Sequence, residues 1–263
     1  MKFKSYLNES QQYEHSERSK AITENEAVDL IKKHCKKSWK AYADRKTYIY
    51  RGIRSVGGPY LYTDPTKGPP RVSANTLNFY TLWIDNDPTW KDFPKRSRSL
   101  ICSNDFQGAS GYGRVFLVFP YDNAKIGVCP SHDMWWSFMK SEVEDLDDFN
   151  SAIAWIIERL GLATYHEMKS LSFTYKAFLD LIKQVGKRYM DAYADVGIQK
   201  RRWLYSARTF EENIRRVLDP KANKFKVVNP GVKLPDQREV WVGNAPSILI
   251  DFDVIGGFEL AVK

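Results

Sequence analysis

The segment Gln237-Arg238-Glu239-Val240-Trp241-Val242 places polar side chains directly before a run of β-branched and aromatic residues. Such a run favours a buried β-strand, and the polar residues before it would lie at the edge of a sheet. Side chains alternate along a strand, so Gln237 and Glu239 would share one face while Arg238 points to the other. We therefore expect Gln237 and Glu239 to open into one cleft.

A second short strand is expected far upstream. Tyr48-Ile49-Tyr50 is aromatic and β-branched, and it ends at Arg51-Gly52. The segment between residues 57 and 70 is rich in Gly and Pro and is expected to be a loop. Apolar and β-branched runs predict the remaining strands at 99–103, 115–120, 225–228, 240–242, 248–252 and 258–262.

Helical patterns lie at the start and in the middle of the chain. Thr23-Glu24-Asn25-Glu26 has the spacing of a capping box and predicts a first helix that runs to about residue 42. From about 133 to 219, apolar residues recur every three or four positions, which is typical of helices. The expected fold is thus α+β, a mixed β core with an N-terminal helix and a helical insertion at about 133–219. Residues 1–20, a short amphipathic stretch followed by a polar run, are expected to be a tail, and 21–263 a single domain.

Composition limits the classes of partner. A net charge of +8 favours contact with a polyanion, but the basic residues are dispersed along the chain rather than gathered into one run. Cys35, Cys102 and Cys129 are odd in number and lack paired spacing, so neither a disulfide framework nor a metal site is expected. No apolar run approaches the roughly 20 residues that a membrane span needs, so no membrane partner is expected.

The polar residues at the strand ends suit the chemistry of NAD. Cleavage of the nicotinamide–ribose bond builds positive charge on the ribose, which the carboxylate of Glu239 would stabilise. The planar guanidinium of Arg51 suits a pyrophosphate. Ser103 would orient Glu239, and Gln237 would hydrogen-bond the incoming nucleophile.

This ordered set resembles the mono-ADP-ribosyltransferases of the arginine–serine–glutamate class, a group that includes bacterial toxins and phage head enzymes. Tyr50-Arg51-Gly52 is similar to the family's first strand, Cys102-Ser103-Asn104 to its Ser-Thr-Ser strand, and Gln237-Arg238-Glu239 to its last motif. The resemblance covers residues 47–120 and 220–262. It implies an ADP-ribosyltransferase-like fold that takes NAD as a substrate and needs no metal.

The resemblance also assigns roles to two groups of residues. Glu239 would be catalytic, and Gln237 would help to select the acceptor, since a glutamine here goes with amide-type or nucleobase acceptors. Arg51 would contact NAD, and Gly52 follows it on the same strand.

The serine of the second motif has three candidates. The first serine position falls on Cys102, whose thiol donates a weaker hydrogen bond than a hydroxyl. Ser103 and Ser99 are the alternatives, and Ser103 ranks first because it lies beside the expected strand end.

Residues 1–9 carry a second resemblance, to the capsid-targeting peptides of T-even-type phage internal head proteins. The prohead protease cuts those peptides after a Leu-x-Glu or Ile-x-Glu pattern, and Leu7-Asn8-Glu9 fits it. This implies packaging beside phage DNA in the virion interior, then entry into the host cytoplasm, with a host protein or nucleic acid as acceptor. Two alternatives stay open: an NAD glycohydrolase, with water as acceptor, and a noncatalytic DNA-associated internal head protein.

Overall fold

The computed structural model describes residues 18–54, 57–72, 77–139, 143, 145–169, 174–193, 203–205 and 207–262. Within these ranges the protein contains one nine-stranded antiparallel sheet and ten α-helices, which confirms the α+β class. The predicted targeting peptide, residues 1–9, lies outside the described residues, as does most of the predicted tail.

The sheet brings together strands from both ends of the chain. Its order is β1-β3-β9-β5-β2-β4-β8-β6-β7, and every pair of neighbours is antiparallel. The strands are β1 (Ser19–Ala21), β2 (Tyr50–Ile53), β3 (Tyr60–Thr63), β4 (Ser99–Ser103), β5 (Arg114–Pro120), β6 (Lys125–Val128), β7 (Lys226–Val228), β8 (Glu239–Gly243) and β9 (Ser247–Asp251).

The helices lie before, between and after the strands. They are α1 (Glu24–His34), α2 (Lys36–Ala43), α3 (Phe79–Asn86), α4 (Phe106–Ser110), α5 (Leu146–Arg159), α6 (Tyr165–Lys169), α7 (Tyr175–Val185), α8 (Tyr189–Tyr193), α9 (Phe210–Val217) and α10 (Ile255–Val262). Short 3-10 helices cover Pro88–Trp90, Arg96–Arg98, Met134–Trp136 and Phe252–Val254.

The chain divides into two compact units. The first comprises Met1–Arg71, Asp92–His132 and Lys226–Lys263 and contains the whole sheet. The second comprises Val72–Lys91 and Asp133–Phe225, and its described elements are all helical. The sequence predicted one domain with a helical insertion at about 133–219, and that insertion lies within the second unit.

The core of the first unit lies on both faces of the sheet. One face carries a cluster of buried residues from the strands and the loops beside them, among them Phe116, Val240 and Leu249. On the other face, Leu117 and Ile250 belong to a cluster shared with α1 and α10. Burial on both faces explains why β5 and β9 read as continuous apolar runs rather than alternating ones.

The second unit has its own aromatic core. Phe79 of α3 stacks on Phe178 of α7 with ring centroids 4.7 Å apart. The buried side chain of Asn213 accepts a hydrogen bond from the Tyr205 N–H at 3.1 Å and donates one to the Tyr189 hydroxyl at 3.0 Å. These bonds satisfy a polar group that would be costly to bury alone.

The sequence predicted the beginning of the first helix correctly, but not its end and not the strand β3. The Thr23 capping box is confirmed, since the Thr23 side chain accepts the Glu26 N–H and Glu26 accepts the Thr23 N–H. The first helix ends at His34, however, because Cys35 leaves helical geometry before α2 begins. The predicted loop at 57–70 contains β3, so that prediction was wrong.

The strand predicted at 258–262 was also wrong, because this segment is the last turn and a half of α10. Phe258 and Val262 are four residues apart and both join the cluster that α1 lines. That spacing is helical, and a short apolar run does not distinguish it from a buried strand.

Candidate active site

The three sequence motifs lie on three neighbouring strands, β2, β4 and β8. Ser103, the last residue of β4, pairs with Tyr50 of β2 on one side and with Glu239 of β8 on the other. Residues directly opposite one another in an antiparallel sheet project from the same face. Tyr50, Ser103 and Glu239 therefore form a row across one end of the sheet.

Glu239 is the first residue of β8, and an arginine contacts its carboxylate. The Oε1 atom of Glu239 lies 2.6 Å from Nη1 of Arg96, and the two side chains are 13% and 8% exposed. The Arg96 guanidinium also lies over the Trp241 ring, 5.7 Å from its centroid. Trp241 in turn donates to the Pro94 carbonyl at 2.9 Å. The carboxylate is thus paired with a cation and held in place by residues that precede β4.

Two further contacts fix the start of β8. The Glu239 N–H donates to the Ser131 carbonyl at 3.3 Å, and the Cys129 N–H donates to the Glu239 carbonyl at 3.0 Å. The Cys129 thiol, which is buried, lies 4.0 Å from Glu239 Oε1. Because main chain and side chain are both held, the position of the carboxylate is defined before any ligand binds.

Ser103 links β4 to the helix that follows it. Its Oγ accepts the Asp105 N–H at 3.0 Å, and Asp105 caps α4 by accepting the Gly108 N–H at 2.9 Å. The hydroxyl is half-buried and shares the face of Glu239. This placement favours Ser103 for the serine role.

The other two candidates for that role lie elsewhere. Cys102 is buried on the opposite face, in the core cluster with Val240. Ser99 shares the face of Glu239 but stands at the far end of β4, where its hydroxyl donates to the Lys95 carbonyl at 2.7 Å. Neither side chain lies beside Glu239.

Arg51 is buried on the opposite face of β2 from Tyr50, in register with Phe116 of β5. Its Nη1 donates to the Ile101 carbonyl of β4. Strands β2 and β4 are paired only through Tyr50 and Ser103, so this bond adds a second link across their junction. Arg51 therefore joins two of the motif strands, while its contact with a pyrophosphate stays a prediction.

Gly52 provides the space into which α4 packs. A Cβ at this position would lie on the Ala109 carbonyl oxygen and 2.7 Å from the Tyr112 Cβ. Only glycine permits this approach of helix to strand. Gly52 is thus a packing residue that brings α4 next to the row of Tyr50, Ser103 and Glu239.

Gln237 does not lie on β8, so the prediction that it shares a strand face with Glu239 was wrong. The strand begins at Glu239, and Gln237 is exposed in a left-handed conformation with φ of 51°. Alternation between strand faces cannot be extended through a left-handed residue. The loop is held instead by Asn104, whose side chain accepts the Arg238 N–H at 2.6 Å and donates to the Pro235 carbonyl.

Sequence reasoning missed an aromatic group beside Ser103. Tyr50 and Phe106 have ring centroids 5.6 Å apart, and Phe106 and Phe252 have centroids 4.9 Å apart. Phe252 is 40% exposed. Burial raises the pKa of Tyr50 above its ordinary value, and Tyr48 and Asp105 add to this effect. The phenol therefore stays protonated at neutral pH and can donate a hydrogen bond.

Arg96 was missed as well. It belongs to Lys95-Arg96-Ser97-Arg98, which reads as an ordinary basic stretch between two predicted elements. Nothing in its spacing from Glu239, 143 residues away, indicates an ion pair. Arg96 stands out only because it is buried directly before a strand, and this burial cannot be predicted from the sequence around it.

Within the described ranges, no group of three or more His, Cys, Asp or Glu side chains is arranged to hold a metal ion. None of the described helices is long and apolar enough to cross a membrane. Comparisons of the chain with protein-family models, with curated proteins and with solved structures found no match.

Proposed function

We propose that the protein is an NAD-dependent mono-ADP-ribosyltransferase with an ADP-ribosyltransferase-like fold in its first unit. The observation that carries this proposal is the row formed by Tyr50, Ser103 and Glu239 across three neighbouring strands. A carboxylate, a hydroxyl and a phenol are thereby presented on one face, although they come from distant parts of the sequence.

Glu239 is the residue proposed to act on the reacting ribose. As the bond between nicotinamide and ribose lengthens, positive charge grows on the sugar, and a fixed carboxylate gains attraction as that charge develops. The contact with Arg96 holds the carboxylate in position. Little reorganisation is then needed in the transition state.

The remaining groups bind and orient the dinucleotide. The edge formed by Tyr50, Phe106 and Phe252 offers apolar rings on which a nicotinamide or adenine ring can stack. Ser103 lies beside the carboxylate and can hydrogen-bond the ribose. Arg51 faces the other side of the sheet, where its bond to the Ile101 carbonyl supports the junction of β2 with β4.

The acceptor is proposed to be a host protein or nucleic acid, and a phage virion is the proposed location before entry into the host cytoplasm. The proposed location rests on the resemblance of residues 1–9 alone. Gln237 lies in the exposed loop directly before the catalytic glutamate, where an acceptor could reach it. Its role in acceptor choice stays a prediction that no longer depends on strand alternation.

The test is incubation with labelled NAD and host lysate, comparing the wild type with Glu239→Gln. We expect label on a macromolecule with the wild type and a loss of about 10²–10³-fold or more with Glu239→Gln, because the variant keeps the shape of the side chain and loses its charge. Glu211→Gln is the matched control, since Glu211 also pairs with an arginine, Arg215, but in the second unit.

The outcomes separate the alternatives. Free ADP-ribose without labelled macromolecule indicates a glycohydrolase, and neither product in any lysate fraction indicates a noncatalytic protein. Wild-type turnover in Glu239→Gln rejects the assignment of the glutamate. Circular dichroism verifies that each variant folds. If Glu239→Gln does not fold, Glu239→Asp takes its place, because it keeps the charge but withdraws it by one methylene.

A further inference from the structure

The net positive charge of the chain belongs to one of its two units. By sequence, the segments of the first unit contain 24 Lys and Arg against 16 Asp and Glu, whereas those of the second contain 16 of each. The whole excess of +8 therefore lies in the unit that holds the sheet. The basic residues themselves are dispersed over both units, and the first unit differs in its smaller share of acidic residues.

Within the first unit, basic residues concentrate on α1 and α2. Seven of the residues from 32 to 46 are Lys or Arg and one is acidic, and all seven basic side chains are exposed. We call them the basic surface: Lys32, Lys33, Lys36, Lys37, Lys40, Arg45 and Lys46. The inward positions between them are apolar or small, such as Ile31, Cys35, Ser38 and Ala41.

Local electrostatics favour one part of this arrangement and disfavour another. Lys32, Lys33 and Lys40 lie in the last turns of α1 and α2, where the helix dipole favours cations. Lys36 and Lys37 lie in the first turn of α2, which holds no acidic residue, although the positive end of the helix dipole repels cations there. Lys36 and Lys40 are four residues apart on α2, so their like charges repel. A ligand that supplies negative charge would relieve the repulsion among the like charges of this surface.

The acidic groups that face the basic surface are few. Asp122, from the turn between β5 and β6, accepts the Lys37 N–H at 2.8 Å, and the Lys37 ammonium also reaches the Asp122 carbonyl at 3.4 Å. Asp44 pairs with Lys46 at 2.7 Å. Asp29 is exposed one turn earlier on α1. Glu259 of α10 accepts a hydrogen bond from the Tyr42 hydroxyl of α2, so four carboxylates stand against seven cations and leave a net positive field over α1 and α2.

The chemistry of this face distinguishes nucleic acid from a lipid bilayer. Residues 32–46 are all described, and none of them is a large apolar side chain exposed to solvent. Trp39 instead packs inward on Phe119 and Phe258, and His34 stacks on Tyr121. A helix that lies in a membrane interface needs an apolar face to insert, whereas phosphate contacts need only cations.

We propose that α1 and α2 form a docking surface for the phosphate backbone of double-helical nucleic acid, held by charge and without base recognition. Contacts of this kind release counterions, so affinity falls steeply with salt. The proposal is independent of the NAD chemistry, because none of the seven cations belongs to the candidate active site. It gives the first unit a means of remaining on DNA or structured RNA.

The experiment measures binding of the full chain to a fluorescent 25-base-pair DNA duplex and to an RNA duplex of equal length, over a series of salt concentrations. The variant Lys33→Gln/Lys36→Gln/Lys40→Gln removes three cations without touching the side chains that bond Asp122 or Asp44. We expect affinity to fall about tenfold or more and the slope of log affinity against log salt to decrease by about 3, since each phosphate contact contributes close to one unit.

The matched control is Lys183→Gln/Lys187→Gln/Lys221→Gln, which removes the same charge from exposed positions of the second unit. We expect its affinity and salt slope to stay near those of the wild type. Equal losses in both triple variants would show that only total charge matters and would overturn the proposal. The proposal would also be overturned if the protein bound vesicles with 30% anionic lipid more tightly than either duplex, or if the wild type bound no duplex at low salt. The comparison of DNA with RNA identifies the source of the phosphates, and thermal unfolding verifies that both variants fold.

Discussion

Arg96 and Glu239 show how much one long-range contact contributes to the candidate site. Their charges meet at 2.6 Å with both side chains mostly shielded from water. Withdrawing two charges from water is expensive, and a buried ion pair adds little net stability over a well-packed apolar pair. The arrangement is therefore better explained by positioning than by stability, because it fixes a carboxylate next to Ser103.

We expect Arg96→Gln to lower the free energy of unfolding by about 3 kcal/mol, since it leaves the Glu239 carboxylate without its arginine partner in a poorly solvated position. The double variant Arg96→Gln/Glu239→Gln should lose clearly less than the sum of the single changes. Urea unfolding of all three proteins measures this coupling. Lys176→Gln is the control, because its pair with Asp180 is exposed to water and contributes little to stability. Additive losses would mean that the two side chains do not depend on each other.

At the scale of elements, α4 connects the first two motifs. The helix begins at the cap that Asp105 provides after Ser103, and it ends against Gly52 on β2. The same five-residue helix also presents Phe106 to Tyr50. A change that displaces α4 therefore alters the Ser103 hydroxyl, the packing of Phe106 on Tyr50 and the junction of β2 with β4 together.

Gly52→Ala is expected to destabilise the protein by about 1–3 kcal/mol, because the added methyl meets backbone that cannot move away cheaply. The same substitution at Gly256, in α10, meets nothing within 4 Å and should be neutral or stabilise by up to about 1 kcal/mol. Thermal unfolding compares the two. If Gly52→Ala unfolded at the wild-type temperature, the close packing of α4 on β2 would be contradicted.

At the scale of the whole molecule, the first unit encloses every cysteine of the chain. Cys35, Cys102 and Cys129 are buried and form no disulfide, and they lie between α1 and α2, within β4 and directly after β6. Burial raises the pKa of the Cys35 thiol well above its ordinary value, and the nearby Asp122 carboxylate adds to this effect. A protonated, enclosed thiol reacts slowly.

We therefore expect the native protein to show almost no rapid reaction with a thiol-specific disulfide reagent at neutral pH, and all three cysteines to react once guanidinium unfolds the chain. The absorbance of the released thiolate counts the reactive groups. A fast reaction of one thiol in the native state would show that the segment around it opens well below the global free energy of unfolding.

Much of the sheet could be predicted because its information is local. Strand β4 was predicted from Ser99 to Ser103, as the structure has it, and β8 and β9 were predicted to within a residue or two. The Thr23 capping box was also readable, since all its atoms lie within four residues. In contrast, β3 was missed although Tyr60-Leu61-Tyr62-Thr63 favours a strand, because the Gly and Pro residues on both sides of it are typical of a loop.

The sequence by itself therefore determined the α+β class, the positions of most strands and the polar residues that end them, because alternation and capping act over a few neighbouring residues. Only the tertiary structure decided which of Ser99, Cys102 and Ser103 stands beside Glu239, since that depends on the register between β4 and β8. Only the tertiary structure, likewise, placed Gln237 outside the strand and Arg96 in contact with the Glu239 carboxylate. These outcomes rest on contacts between residues far apart in the chain, and such contacts leave no periodic trace in the sequence.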